Sequence, residues 1–142
     1  MWDADGPGAH LGRRLEVSMS QRIMIAAGPV TVEAELNDSP TAERIWEELP
    51  IIGQAQIWGD EIYFRIPVEM EEAADARADV AVGELGYWPV GEAFCIFFGR
   101  TPASSSDEPR AASPVNPVGR VLGDAEAFRD VPMGATVMLE KA

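Results

Sequence analysis

Few residues in this sequence are equipped for chemistry, and the most suggestive group is aromatic. Tyr63, Tyr87, Trp88 and Pro89, joined by Phe97 or Phe98, could line one apolar pocket carrying a few hydroxyls, with Ser113 and Asn116 at its rim. That mixture is what a groove for a small molecule or a short peptide requires. A competing arrangement puts Trp88 and the phenylalanines in the core, with Gly86-Tyr87-Trp88-Pro89 as a turn wedged by aromatic rings.

Other chemistry is more restricted. His10 is the only histidine and falls in an N-terminal stretch without pattern, which leaves the rest of the chain with no Ser-His or Cys-His dyad and no His-bearing zinc site. Acid–base work would fall to carboxylates, tyrosine or arginine. Cys95 sits inside the apolar run Phe94-Cys95-Ile96-Phe97-Phe98 and reads as a small core side chain rather than a nucleophile. Asp60 and Glu61 are neighbours on a strand pattern, so they point to opposite faces and do not form a natural catalytic pair. Asn37 and Asp38 could meet an anion at a helix start, although turn formation and capping explain them equally well. Gly83, Gly86 and Gly91 do not make a phosphate loop, and the acids between 69 and 79 lack the glycine-centred calcium pattern. The sequence therefore predicts neither a cofactor nor a metal.

Charge narrows the partners. With 24 acidic against 11 basic residues, the 142-residue chain carries a formal charge of −13. Such a surface repels phosphate backbones and anionic lipid, so nucleic acid and membrane partners are not expected. No apolar run approaches the ~18–20 residues of a membrane-spanning helix. The length and a 46% hydrophobic content suit one globular domain. Residues 1–20 are expected to be a flexible extension ahead of a domain over 21–142. Arg13-Arg14 is followed by charged residues where an export signal would place an apolar segment, and Met19 offers a second start. These features predict a cytoplasmic protein with a reduced Cys95. Asp3, Asp5 and Glu16 against Arg13 and Arg14 leave −12 on the remainder, so the acidity belongs to the domain.

From Gln21 the dominant period is two. Ile23 and Ile25 mark a strand, Gly28-Pro29 a turn, and Val30, Val32, Ala34 and Leu36 the buried face of a second strand. Ser39 and Pro40 open a helix whose apolar residues Ala42, Ile45, Trp46 and Leu49 share one face, and Pro50 stops it. Strands are expected over 51–58 and 61–68 around a Gly59-Asp60 turn. In the second, Ile62, Phe64 and Ile66 alternate with Glu61, Tyr63 and Arg65. The run 94–98 should be buried on both sides. Residues 101–117, rich in proline and serine, read as a long loop. A strand at 118–122, a short helix capped by Asp124 and a last strand at 135–139 complete the chain. About eight short strands without full-length intervening helices predict an all-β fold with two short helices, in the form of a closed antiparallel eight-stranded barrel.

Four segments, 36–50, 58–68, 82–99 and 113–123, resemble the prokaryotic cyclophilin-like domain family. Gly59-Asp60-Glu61-Ile62-Tyr63-Phe64 and Gly86-Tyr87-Trp88-Pro89 are their most specific parts. The resemblance spans roughly Gln21 to Lys141 and implies a cyclophilin-type β-barrel, with no activity attached. By analogy with true cyclophilins it raises prolyl isomerisation, in which an arginine polarises the prolyl amide. Tyr63-Phe64-Arg65-Ile66-Pro67 is similar to the Phe-His-Arg-Val-Ile-Pro segment of those enzymes and makes Arg65 the candidate. The Gln-Gly-Gly-Asp segment that follows in them is absent here, and Arg65 could instead be a surface arginine paired with Glu61 or Glu33. Three functions are thus expected in order: a binding module for a small molecule or a Pro-containing peptide, a diverged isomerase using Arg65, and a structural protein forming homo-oligomers.

Overall fold

The computed structural model describes residues 21–142, so the extension expected over residues 1–20, with His10, lies outside the described residues. The hairpin at the start forms as its alternation dictates. Strands β1 (Arg22–Ala27) and β2 (Val30–Leu36) are joined at Gly28-Pro29, with Ala27 opposite Val30. Gly28 takes φ +54°, a left-handed conformation that glycine adopts without penalty. Helix α1 (Pro40–Glu48) begins where the capping residues place it. The Ser39 hydroxyl accepts from the Ala42 amide at 3.2 Å, and Thr41, Ala42 and Ile45 are buried.

The strand expected over 51–58 is interrupted. It divides into β3 (Ile51–Gln54) and β4 (Gln56–Ile57) at Ala55, whose amide bonds to the Ala135 carbonyl and whose carbonyl accepts from Gly134, each at 2.8 Å. The remaining elements are β5 (Glu61–Arg65), β6 (Arg77–Asp79), β7 (Glu84–Trp88), β8 (Ala93–Phe97), β9 (Arg110–Val121), a 3-10 helix (Ala125–Asp130) capped by Asp124, and β10 (Thr136–Lys141).

The fold is mostly β with two helices, but the expected closed eight-stranded barrel is not what forms. Ten strands make an open path, β3-β10-β1-β2-β9-β7-β8-β5-β4, with β6 attached to β9. The path ends at β3 and β4 because Ala55 breaks the strand they would have shared. β3 pairs only with β10, and the two-residue β4 pairs only with β5. The loop expected over 101–117 is also shorter, since β9 starts at Arg110 and carries Pro114 and Pro117 within it. Neither proline can donate to a ladder, and the β7–β9 register shifts between Leu85 and Gly86, opposite that stretch.

Two apolar clusters result. The main one gathers Ile23, Ile25, Leu36, Ile45, Ile62, Phe64, Leu85, Tyr87, Phe94, Ile96 and Phe128. The second lies on the opposite face of β5, β7 and β8 and contains Val80, Cys95, Phe97, Ala111 and Val115, with Tyr63 and Trp88 packed against it. That face is covered because the first half of β9 leaves β7 and pairs with β6 (Arg77 opposite Val115, Asp79 opposite Arg110). Strand β8 is buried on both sides as its unbroken apolar run requires.

Candidate functional site

The β4–β5 hairpin supplies one wall of a pocket. Trp58 and Glu61 exchange backbone hydrogen bonds across the Gly59-Asp60 turn, at 2.9 and 3.2 Å, which puts their side chains on the same face. Two residues further along β5, Tyr63 shares that face by strand alternation. Register then brings in the neighbours: Glu61 lies opposite Phe97, Tyr63 opposite Cys95, and Cys95 opposite Gly86. Gly86 needs its missing side chain, since a Cβ there would come within 2.8 Å of Val115 Cγ2. Val115 thereby settles onto the outer face and closes the pocket from the β9 side.

Trp58, Glu61, Tyr63, Trp88, Ala111, Ala112 and Val115 line the resulting cavity of about 160 Å³. Tyr63 and Trp88 meet edge to face, with ring centroids 6.3 Å apart and an interplanar angle of 81°. The Trp88 indole N–H donates to Ser113 Oγ at 2.6 Å, which fixes the ring's tilt. Phe97 is fully buried in the apolar cluster beneath. Of the residues singled out from the sequence, Tyr63, Trp88, Phe97 and Ser113 are therefore brought together.

The others lie elsewhere. Tyr87 alternates with Trp88 and enters the main core, where its hydroxyl donates to the Val68 carbonyl at 2.6 Å and accepts from the Met70 amide at 3.2 Å. Burial pushes its phenol above the usual range. Asn116 is buried on the α1 side. Its amide donates to Thr41 Oγ1 (3.1 Å) and the Glu71 carbonyl (3.0 Å), and its carbonyl oxygen accepts from the Ala73 amide (2.8 Å). Asn116 thus fastens the chain between β5 and β6. Arg65 is 77% exposed and binds Glu92 at 2.6 Å, rather than the Glu61 or Glu33 expected as surface partners. It lines a separate polar depression with Arg44, Glu69 and Glu92.

Five lining residues are not singled out by the sequence: Trp58, Glu61 and, from β9, Ala111, Ala112 and Val115. Trp58 follows the β4 ladder, and only the hairpin's pairing aims it. For Glu61 the signal is present in the sequence, since strand alternation sets it on the same face as Tyr63. Asp60 turns away to Arg129, at 2.7 Å. Glu61 is only 6% exposed, and burial raises its carboxyl to about pKa 7, partly offset by the neighbouring Cys95 thiol. The thiol is itself pushed up, first by burial and then by Glu61. This corner of the molecule therefore offers a carboxyl that changes charge near neutrality, beneath aromatic walls. Among the described residues, no three His, Cys, Asp or Glu side chains converge in a way that could hold a metal ion, and no helix is long and apolar enough to cross a membrane.

The fold has a known relative. A structural neighbour is the solution structure of a hypothetical protein from Archaeoglobus fulgidus, with a TM-score of 0.74 and 36% identity, matched over 88% of this chain and 97% of that one. No curated protein matches the chain. The family model described as cyclophilin-like matches residues 21–140, and by that match the chain belongs to the cyclophilin-like family.

Proposed function

We propose that the chain is a binding module that takes a small molecule, or one side chain of a short peptide, in the pocket between the β4–β5 hairpin and β9. The observation that carries this reading is the open Tyr63–Trp88 pair standing beside a buried carboxyl, Glu61. Aromatic walls with one well-placed polar group are the usual make-up of a ligand site. Size limits the occupant. The volume of about 160 Å³ lies below the roughly 300–1,000 Å³ of drug-sized sites and corresponds to about five water molecules at roughly 30 Å³ each.

Prolyl isomerisation is the weaker reading. Arg65 would have to leave Glu92, and it lines a different depression from Tyr63 and Trp88. An arginine that polarises a prolyl amide must face the same groove that holds the ring.

A thermal-shift screen of small amines, heterocycles, carboxylates and Pro-containing peptides tests the binding reading. A true ligand raises the unfolding midpoint by mass action, and the gain should vanish in Trp88→Leu. A screen without a hit, or hits indifferent to Trp88, would overturn it.

A further inference from the structure

The pocket's chemistry narrows its occupant, an inference that rests on the binding reading above. Glu61 is more than nine-tenths buried, and the Cys95 thiol beside its carboxyl donates to the Ala93 carbonyl at 3.9 Å. A carboxylate accepts at about four lone-pair sites, and a single neighbouring thiol turned to another acceptor leaves that capacity unused on the pocket side. No lining residue is cationic.

The arginines on surrounding elements are engaged elsewhere. Arg65 on β5 holds Glu92 at 2.6 Å, Arg110 on β9 holds Asp79 at 2.6 Å, Arg77 on β6 holds Glu84, and Arg129 in the 3-10 helix holds Asp60 at 2.7 Å. The groups facing Glu61 are Cys95 and Phe97 from β8, Tyr63 from its own strand, Trp88 from β7, Trp58 from the turn, and Ala111, Ala112 and Val115 from β9. Of these only Cys95 and Tyr63 titrate, and neither can supply a positive charge. Three aromatic rings surround the same space, and ring faces attract cations, most strongly where water is excluded. The domain's charge of −12, left once residues 1–20 are set aside, adds a long-range field of the same sign.

We propose that this pocket takes a compact organic ammonium ion, its charge against the Glu61 carboxylate and its carbon skeleton against Trp58, Tyr63 and Trp88. The empty pocket keeps Glu61 half-protonated near pH 7 because burial disfavours its charge. A bound cation restores the ionised form, so binding expels a proton at lower pH and affinity falls as pH drops below about 7.

The test uses the full chain with n-butylammonium and 1-butanol, which match in size and differ in charge, followed by NMR at the Trp58 and Trp88 indole N–H resonances. Butylammonium is expected to bind at least about tenfold more tightly than butanol at about pH 8. That preference should shrink to about twofold or less by about pH 5. Glu61→Gln, nearly isosteric, should erase the preference at both pH values, and Tyr63→Leu should weaken butylammonium more than butanol. A capped lysine amide tells a lysyl side chain from a free amine: tighter binding than butylammonium assigns the ammonium to a peptide, weaker binding to a free small molecule. Equal binding of the two probes overturns the ammonium assignment, and a preference undiminished by Glu61→Gln overturns Glu61 as its counter-charge; either result leaves the pocket as a binding site. If neither probe moves the two indoles at millimolar concentration, the ammonium assignment and the binding reading both fall.

Discussion

Glu61 and Cys95 are diagonal neighbours across the paired strands β5 and β8, where Glu61 lies opposite Phe97 and Tyr63 opposite Cys95. Burial makes both groups reluctant to ionise, and the Glu61 carboxyl pushes the Cys95 thiol up further, because a second negative charge would be added to a site that water hardly reaches. The pair sits on the outer face of the sheet, which becomes an interior only because β6 and the start of β9 fold across it.

A pH-dependent stability follows. Glu61 has a folded pKa near 7, above the ordinary 4.5, so the native state keeps a proton that the unfolded chain loses across that window. The protonated group is fully accommodated below about pH 4.5, and its ionisation costs stability as pH rises toward 7, by on the order of 3 kcal/mol when complete. Glu61→Gln cannot ionise. It should be close to neutral in denaturant titrations at about pH 4 and more stable than the parent at about pH 8. A variant less stable than the parent at the higher pH contradicts the burial argument.

Cys95 should be chemically silent. Its thiol is buried and held protonated, and the thiolate is the reactive form. Alkylation of the native protein by iodoacetamide should therefore proceed no faster than unfolding exposes the residue. Rapid modification under native conditions would show that the flap over β8 opens on its own.

Arg65→Ala should change little. An exposed ion pair of this kind contributes roughly 0–1 kcal/mol, and the aromatic pocket does not include Arg65. Stability should fall by less than about 1 kcal/mol, ligand affinity should hold, and a prolyl-isomerase assay should read background for both proteins. Acceleration by the parent that disappears in Arg65→Ala would reinstate the enzyme reading.

Asn116 should prove structural and costly. Replacing it with Leu strands the Thr41 hydroxyl, its buried partner, and removes the part-buried bonds to the Ala73 amide and the Glu71 carbonyl, at about 1–3 kcal/mol for each group that water does not reach. Denaturant unfolding of Asn116→Leu should show a loss of at least about 2 kcal/mol, with hydrogen exchange accelerated first between residues 70 and 75. An unchanged midpoint would mean that water reaches this seam.

Local pattern carried much of this molecule and stopped at identifiable places. The capped helix, the first hairpin and the doubly buried β8 are written in spacing and turn residues that act over a few positions. Alternation also set Glu61, Tyr63 and Arg65 on one face, but it could not say that the face is covered over Glu61 and exposed at Arg65. That depends on residues some fifty positions later, where Pro114 and Pro117 divert β9 toward β6. The acid-rich stretch 69–79 reads as a solvated strand and connection, and its charged residues are exposed while Arg77–Asp79 pairs with β9. Closure of the sheet was likewise beyond a strand count, because it turns on the backbone bonds of Ala55 to Ala135 and Gly134.

The most direct measurement is a fragment screen mapped residue by residue by NMR on the labelled full chain. The account predicts that hits perturb the Trp58 and Trp88 indoles together with the amides of Glu61, Tyr63 and Val115. Hits confined to the depression around Arg65 and Glu92, or no hits at all, would contradict it.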